Sequence, residues 1–189
     1  MMDLPRHFFL DKAFEEWAYK DVPFRIEADQ TISQPYTVAF QTQLLDIKSS
    51  DQVLEVGTGS GYQACILSSL KAKVYTIERQ EALFHRTDRL LKKIGFTRIR
   101  TYLGDGYQGL PRYAPFQKII VTAGATEIPH ALVDQLDVNG IMVIPVGKDG
   151  NQKMIRIQKD QDGLVTQDIH GDFRFVPLLK GINNLDRSN

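Results

Sequence analysis

Val53-Leu54-Glu55-Val56-Gly57-Thr58-Gly59-Ser60-Gly61 is a short β-rich apolar run that carries one acid and then breaks into glycines at every second position. Residues 62–70 follow at once with a helical pattern. Strand, glycine-rich turn and helix in that order form a unit that binds nucleotide-like ligands at the carboxyl end of a parallel strand. Glycine turns tightly because it lacks Cβ, and bare backbone lets a ligand press close. The N–H groups that open the following helix attract a polar or anionic ligand end. A glycine turn that binds nothing is the plain alternative at this point.

On either side of this unit, strands and helices alternate. Residues 49–51 turn the chain into a strand at 52–56, and a second strand at 73–77 ends at Glu78. A helix over about 80–94 places Leu83, Phe84, Leu90, Leu91 and Ile94 on one face, with Gly95 as its stop. Residues 98–103 read as a third strand ending in Gly104-Asp105-Gly106, and residues 117–122 as a fourth. A short helix at 129–136 precedes a strand at 140–146. Extended runs then follow at 153–158, 164–169 and 173–178, with a turn at Asp162-Gly163. Alternation first and strands alone afterwards predict an α/β fold, doubly wound, with a mostly parallel sheet and an antiparallel end.

Upstream, Phe14, Trp17 and Ala18 recur at helical spacing, which predicts a short amphipathic helix over 11–20 with Trp17 in the core. After a loop at 21–23, Ser33 is expected to cap a helix whose first turn holds Pro35 and whose body holds Val38, Leu44 and Leu45. One domain over 1–189 is expected: an N-terminal substrate-facing segment at 1–50, a cofactor-binding core at 51–147 and C-terminal strands at 148–189.

Charge and composition narrow the partners. Lys plus Arg equals Asp plus Glu at 23 each, and no basic run of five or more occurs, which argues against a nucleic-acid partner. The N-terminus has no apolar signal region and no stretch reaches membrane-spanning length, so the expectation is a cytoplasmic protein without a membrane partner. The single cysteine, Cys65, rules out an internal disulfide and reads as a small core residue. His7, His85, His130 and His170 show no metal-ligand spacing, so no metal is expected.

The glycine spacing here is G-x-G-x-G, with Glu55 two residues ahead of it, and so departs from the dinucleotide pattern G-x-G-x-x-G. It resembles motif I of the S-adenosylmethionine-dependent methyltransferases. Two further strand ends carry matching chemistry. A carboxylate at Glu78 can accept the hydroxyls of a ribose, and Asp105-Gly106 suits an adenine amino group with a close backbone approach.

Longer segments carry a more specific likeness. Thr31-Ile32-Ser33-Gln34-Pro35-Tyr36, the run from Val53 to Gln63, Gly104-Asp105-Gly106, Ala114-Pro115-Phe116 with Ile119-Ile120-Val121-Thr122, Ile144-Pro145-Val146-Gly147 and Phe175-Val176-Pro177-Leu178 together resemble the protein-L-isoaspartate (D-aspartate) O-methyltransferase family. The likeness implies a seven-stranded, Rossmann-like methyltransferase fold. It implies S-adenosyl-L-methionine as donor and S-adenosyl-L-homocysteine as product. The acceptor it implies is the free carboxyl of L-isoaspartyl residues in damaged proteins and peptides, with D-aspartyl residues as a second acceptor. The ester then collapses to a succinimide, which begins repair.

By the same likeness, Ser33 is the catalytic residue, and Thr31, Ile32 and Ser33 touch both substrate and cofactor. Glu55, Gly57, Thr58, Gly59, Ser60, Gly61, Glu78, Arg79, Asp105 and Gly106 fall on cofactor contacts, and Phe175, Val176, Pro177 and Leu178 lie beside the substrate. A monomer is expected. The chain departs from the family pattern in having only Met1 to Leu4 before the Pro5-Arg6-His7-Phe8 segment. It also has Ala28-Asp29 where glycine is usual and Ala123-Gly124-Ala125-Thr126 in place of a proline-rich run.

A free carboxylate is already ionised near neutral pH, so no general base and no Ser-His-Asp set is expected. The rival readings are a methyltransferase of a small molecule or RNA, a cofactor-binding module without catalysis, and a nicotinamide oxidoreductase. The Thr31–Tyr36 segment disfavours the first, and the glycine spacing disfavours the last.

Overall fold

A computed structural model describes residues 4–26, 28, 30–148 and 150–184 of the chain. The N-terminal segment is two 3₁₀ pieces, Arg6–Phe9 and Lys12–Trp17, followed by a two-residue antiparallel pair, β1 (Phe24–Arg25) and β2 (Thr31–Ile32). Helix α1 is Pro35–Leu45. Then come β3 (Gln52–Val56), α2 (Tyr62–Ser69), β4 (Lys73–Glu78), α3 (Glu81–Lys93) and β5 (Arg100–Leu103). β6 (Phe116–Val121), α4 (His130–Asp134), β7 (Leu136–Lys148), β8 (Asn151–Lys159) and β9 (Val165–Phe173) complete the fold.

The seven-stranded sheet runs β5-β4-β3-β6-β7-β8-β9. The pairs among β5, β4, β3, β6 and β7 are parallel, and β8 pairs antiparallel with both β7 and β9. The chain therefore winds one way from β3 through β4 to β5, then returns to β6 on the other side of β3. That reversal opens a crevice at the carboxyl ends of β3 and β6.

Val53 to Val56 are all buried, as expected of a strand covered on both faces. Alternate residues serve opposite layers. Val53 and Ile120 join the cluster beneath α1 and α2, whereas Leu54 and Ile119 join the cluster on the other face with Leu132 of α4. Cys65 lies in the first cluster, fully buried, and burial pushes its thiol far above its ordinary range. Gly95 ends α3 as its position suggested, in a left-handed turn where Phe96 N–H donates to Leu91 O at 2.9 Å.

Three expectations need correction. The helix over 11–20 is a 3₁₀ piece interrupted at Phe14 (φ −122°, ψ 15°). A segment this short gains too little from one buried face to propagate a helix. Only Ala18 of its apolar residues is buried, tied down by Arg6 Nε donating to Ala18 O at 2.6 Å. Trp17 is not core: it is 38% exposed, with Lys20 Nζ 3.7 Å above its ring.

Ser33 does not cap α1. Gln34 is the N-cap, without a side-chain bond of its own, and Asp21 Oδ1 accepts the Tyr36 N–H at 2.9 Å instead. Finally, residues 173–178 are not a strand. β9 ends at Phe173, and the chain then leaves the sheet, held by Gly124 N–H to Val176 O and Leu178 N–H to Gly124 O, both 2.8 Å. This lays residues 176–179 across the crevice.

Candidate active site

The crevice at β3 and β6 is a cleft of about 790 Å³, counting its mouth open to solvent. Its floor is the β3–α2 turn. Gly57 sits at φ +98°, and a Cβ there would lie 2.5 Å from Thr122 Oγ1. That hydroxyl donates to Gly57 O at 2.6 Å, so side chain and turn are built around each other. Gly59, at φ +52°, differs: a Cβ there would meet nothing within 4 Å. The space above Gly59 is open for a ligand to lie on bare backbone.

The amides of this turn point inward. Gly57 and Thr58 N–H groups donate to Ile77 O, and Gly61 N–H to Thr58 O. Gly59 N–H donates to Glu78 Oε2 at 3.0 Å. Glu78 Oε1 accepts the Gln80 N–H at 2.9 Å, which fixes the carboxylate at the end of β4. Thr87 of α3 donates to Gly59 O at 2.6 Å and anchors the turn from behind.

The second acid, Glu55, is fully buried in the cleft wall, and neither of its oxygens has a hydrogen-bond partner. Its strand neighbour Thr76 bonds Thr58 Oγ1 at 2.7 Å instead. Burial, and to a smaller extent the charge of Glu78, push the Glu55 carboxyl up to about 8.

The cleft thus offers two carboxyl groups and a turn whose amides are largely committed within the protein. Arg79, the one cation among the described residues that line it, donates through Nε to Gly181 O at 3.1 Å. A pyrophosphate would find few donors here. A cationic nucleoside, with hydroxyls and a positive centre for the Glu78 carboxylate and no anion to repel it, matches this cleft. Among the described residues, no group of three or more metal-ligating side chains occurs.

Of the residues singled out in the sequence, Thr31, Ile32, Ser33, Glu55, Gly57, Thr58, Gly59, Ser60, Glu78, Arg79 and Gly106 line this cleft, as do Val176, Pro177 and Leu178. Gly61 and Asp105 do not. Gly61 sits behind the turn as the N-cap of α2. Asp105 Oδ1 accepts the Tyr107 N–H at 2.9 Å and Oδ2 the Gly181 N–H at 2.8 Å, so it braces the loops beside the cleft. Asp29 lies outside the described residues. Its neighbour Ala28 is left-handed at φ 57°.

Gln41 and Thr122 also line the cleft and were not singled out. Gln41 is buried on α1 and donates to Val121 O at 2.9 Å. Its signal was available: one amide on a helix face otherwise made of Val38, Leu44 and Leu45.

A second cleft opens on the far side of the Thr31–Ile32 pair, and Thr31 and Ser33 line both. Phe175 faces this second cleft, together with Tyr36, Phe40 and Phe173. Ser33 is half-buried, and its hydroxyl makes no hydrogen bond to the described residues.

A doubly wound sheet with an acid-lined cleft at its glycine turn, whose amides are largely committed within the protein, fits the class of S-adenosylmethionine-dependent methyltransferases better than that of dinucleotide binders. Comparison with known proteins narrows the class. A family model, protein-L-isoaspartate(D-aspartate) O-methyltransferase, matches residues 1–183. A protein-L-isoaspartate O-methyltransferase of Flavobacterium psychrophilum is 54% identical over 180 residues, 95% of this chain and 84% of that one.

Two solved structures share the fold. A protein-L-isoaspartate O-methyltransferase superposes with a TM-score of 0.86 at 25% identity, covering 97% of this chain and 61% of that one. A Plasmodium falciparum chain described as such a methyltransferase, in complex with S-adenosyl-L-homocysteine, gives 0.79 at 27% identity over 93% of this chain and 86% of that one. The chain belongs to the protein-L-isoaspartate(D-aspartate) O-methyltransferase family.

Proposed function

We propose that the protein transfers a methyl group from S-adenosylmethionine to the free carboxyl of L-isoaspartyl residues in proteins and peptides, which begins their repair and leaves S-adenosylhomocysteine. The observation that carries this reading is the shared wall: Thr31 and Ser33 line both the acid-lined cleft and the second cleft. A donor on one side and a peptide on the other would meet at Ser33.

Glu78 and the Gly57–Gly59 backbone would hold the nucleoside part of the cofactor, with Gly106 lining the cleft where a Cβ would meet Val56 at 2.6 Å. When bound, S-adenosylmethionine supplies an electrophilic sulfonium methyl. The acceptor carboxylate is ionised at neutral pH, so the protein need only orient it and exclude water. Glu78 repels an anion that enters through the cofactor cleft, which favours approach from the second cleft. There the uncommitted Ser33 hydroxyl can donate to the carboxylate. Among the described residues no base is hydrogen-bonded to the Ser33 hydroxyl, so Ser33 serves as an orienting group rather than a covalent nucleophile. Asp105 acts by holding the loops at 107 and 181 against the cleft.

No helix among the described residues is long and apolar enough to cross a membrane. With balanced charge and one buried cysteine, we place the protein in the cytoplasm as a monomer whose partners are isoaspartyl proteins, a state that sedimentation would test.

The activity is tested with labelled S-adenosylmethionine and a matched pair of aspartyl and isoaspartyl peptides, scored as base-labile methyl ester. Label on the isoaspartyl peptide alone is the expected result. Equal label on both, or on neither, refutes the reading.

A further inference from the structure

The second cleft contains a group that neither the fold nor methyl transfer requires. Strand β9 carries a bulge there. Lys153 pairs with Asp172 and Ile155 with Ile169, so His170 and Gly171 together stand opposite Met154. Gly171 takes φ +103°. A bulge breaks the alternation of a strand and re-aims a side chain. Here it sets His170 on the cleft wall, with Nε2 buried and without a hydrogen-bond partner among the described residues. The nitrogen has almost no accessible surface, so a group in the cleft reaches it only when the ring turns outward, and an unpartnered buried nitrogen favours that turn.

The surrounding charge indicates what that something is. Arg174 lines the same cleft, is exposed, and makes no ion pair or hydrogen bond to the described residues. The acid of the cleft, Asp172, is already neutralised by Lys153 Nζ at 2.6 Å. Among the described residues that line the cleft, one positive charge is therefore left over. Beside it, Tyr36, Phe40 and Phe173 form a stack with ring centroids 5.1 to 6.4 Å apart. An aromatic wall with an exposed guanidinium beside it and an imidazole set into it suits a short apolar stem ending in a carboxylate.

We propose that this cleft is a subsite for the residue that flanks the isoaspartyl group, and that His170 and Arg174 select an acidic side chain there. The inference rests on the methyl-transfer reading. A peptide whose reacting carboxyl lies at Ser33 must run its neighbouring residues along the wall that Ser33 shares with Tyr36 and His170. The guanidinium of Arg174 is an exposed donor that a glutamate carboxylate can meet from the cleft, and the Nε2–H of His170 becomes a second donor once its ring turns outward.

The test is a set of isoaspartyl peptides that differ only in the residue before, or only in the residue after, the isoaspartate, with Glu, Gln or Lys at that place. Steady-state kinetics are measured at saturating S-adenosylmethionine. The wild type should prefer Glu over Gln by about tenfold in kcat/KM on one of the two sides, and Gln over Lys by a similar factor, with the difference in KM. In His170→Leu and Arg174→Gln the Glu-to-Gln ratio should fall towards one. Calorimetric affinity for S-adenosylhomocysteine should be unchanged in both, which separates the subsite from a folding defect. A wild type blind to Glu against Gln on both sides overturns the inference, and so does a preference that survives both substitutions. The Gln peptide is the reference: if it is not methylated, the methyl-transfer reading itself has failed.

Discussion

The two clefts that meet at Ser33 are built in opposite ways. The cofactor cleft is made from the ends of central strands. Its turn is wired by backbone bonds to β4, by Thr122 of the β6 edge and by Thr87 of α3. The second cleft is made from a two-residue hairpin, the exposed end of α1 and an edge strand with a bulge. One is enclosed enough to hold a carboxyl neutral, and the other leaves an arginine in water. Buried strand ends pre-organise a site for one fixed ligand. An edge strand is free to vary, and a site that must accept many protein segments is better placed there.

The contrast breaks most sharply at the turn. Gly57→Ala forces a residue with Cβ into φ +98° and against Thr122 Oγ1. A loss of roughly 3 kcal/mol or more in stability is expected, with S-adenosylhomocysteine binding weakened at least about a hundredfold. Calorimetry and thermal melts read both. Gly59→Ala is the matched control, because its Cβ enters open space. Stability should fall by only about 1 kcal/mol, with the larger loss in cofactor affinity. A Gly59→Ala protein that binds S-adenosylhomocysteine normally would remove the turn from the site.

The enclosure of the cofactor cleft is tested through Glu55. Its folded carboxyl value, about 8, lies above its ordinary one, so the folded state holds a proton that the unfolded state has released. Stability is fully present below the ordinary carboxyl range and falls as pH rises towards about 8, by up to about 1.4 kcal/mol per pH unit. Glu55→Gln keeps the shape and removes that dependence. Melts of the two proteins should coincide near pH 4 and separate steadily up to pH 8, with the variant more stable. Parallel curves would mean that water reaches Glu55.

On the other side of the wall, Ser33→Ala removes one oriented hydroxyl. Turnover should fall roughly ten- to a hundredfold, which corresponds to about 1–3 kcal/mol in the transition state. S-adenosylhomocysteine affinity should stay within about twofold of wild type. Unchanged turnover would reduce Ser33 to a spacer before Gln34. The smallest effect belongs to Asp105→Ala, which frees the amides of Tyr107 and Gly181. A loss of about 1 kcal/mol in stability is expected, together with weaker cofactor binding. Unaltered melting and binding would show that the 181 loop needs no brace.

The parts read correctly from the chain are those whose cause is local. The apolar run 53–56, the glycines behind it and the stop at Gly95 each act within a few residues, so their order along the chain displays the α/β fold. The errors share the opposite cause. Asp21 caps α1 from fifteen residues away. Trp17 follows a helical pattern, yet too little surface is offered to it for burial. The run 173–178 has the composition of a strand, but two bonds to Gly124 pull it off the sheet and over the cleft. Asp105 is a different case: it sits at a strand end as a ligand residue would, and the fold adds that its oxygens also accept the Tyr107 and Gly181 N–H groups.

Residue order alone settled the glycine turn, the alternation that winds the sheet and the segment at Thr31-Ile32-Ser33, because propensity, periodicity and glycine chemistry act over short spans. Tertiary structure alone decided that the turn's amides face inward, that Glu55 stays protonated near neutrality, and that Ser33 stands between two clefts. Each of these depends on what distant chain segments bring to the same place, and burial and hydrogen-bond pairing are properties of that meeting rather than of any one stretch.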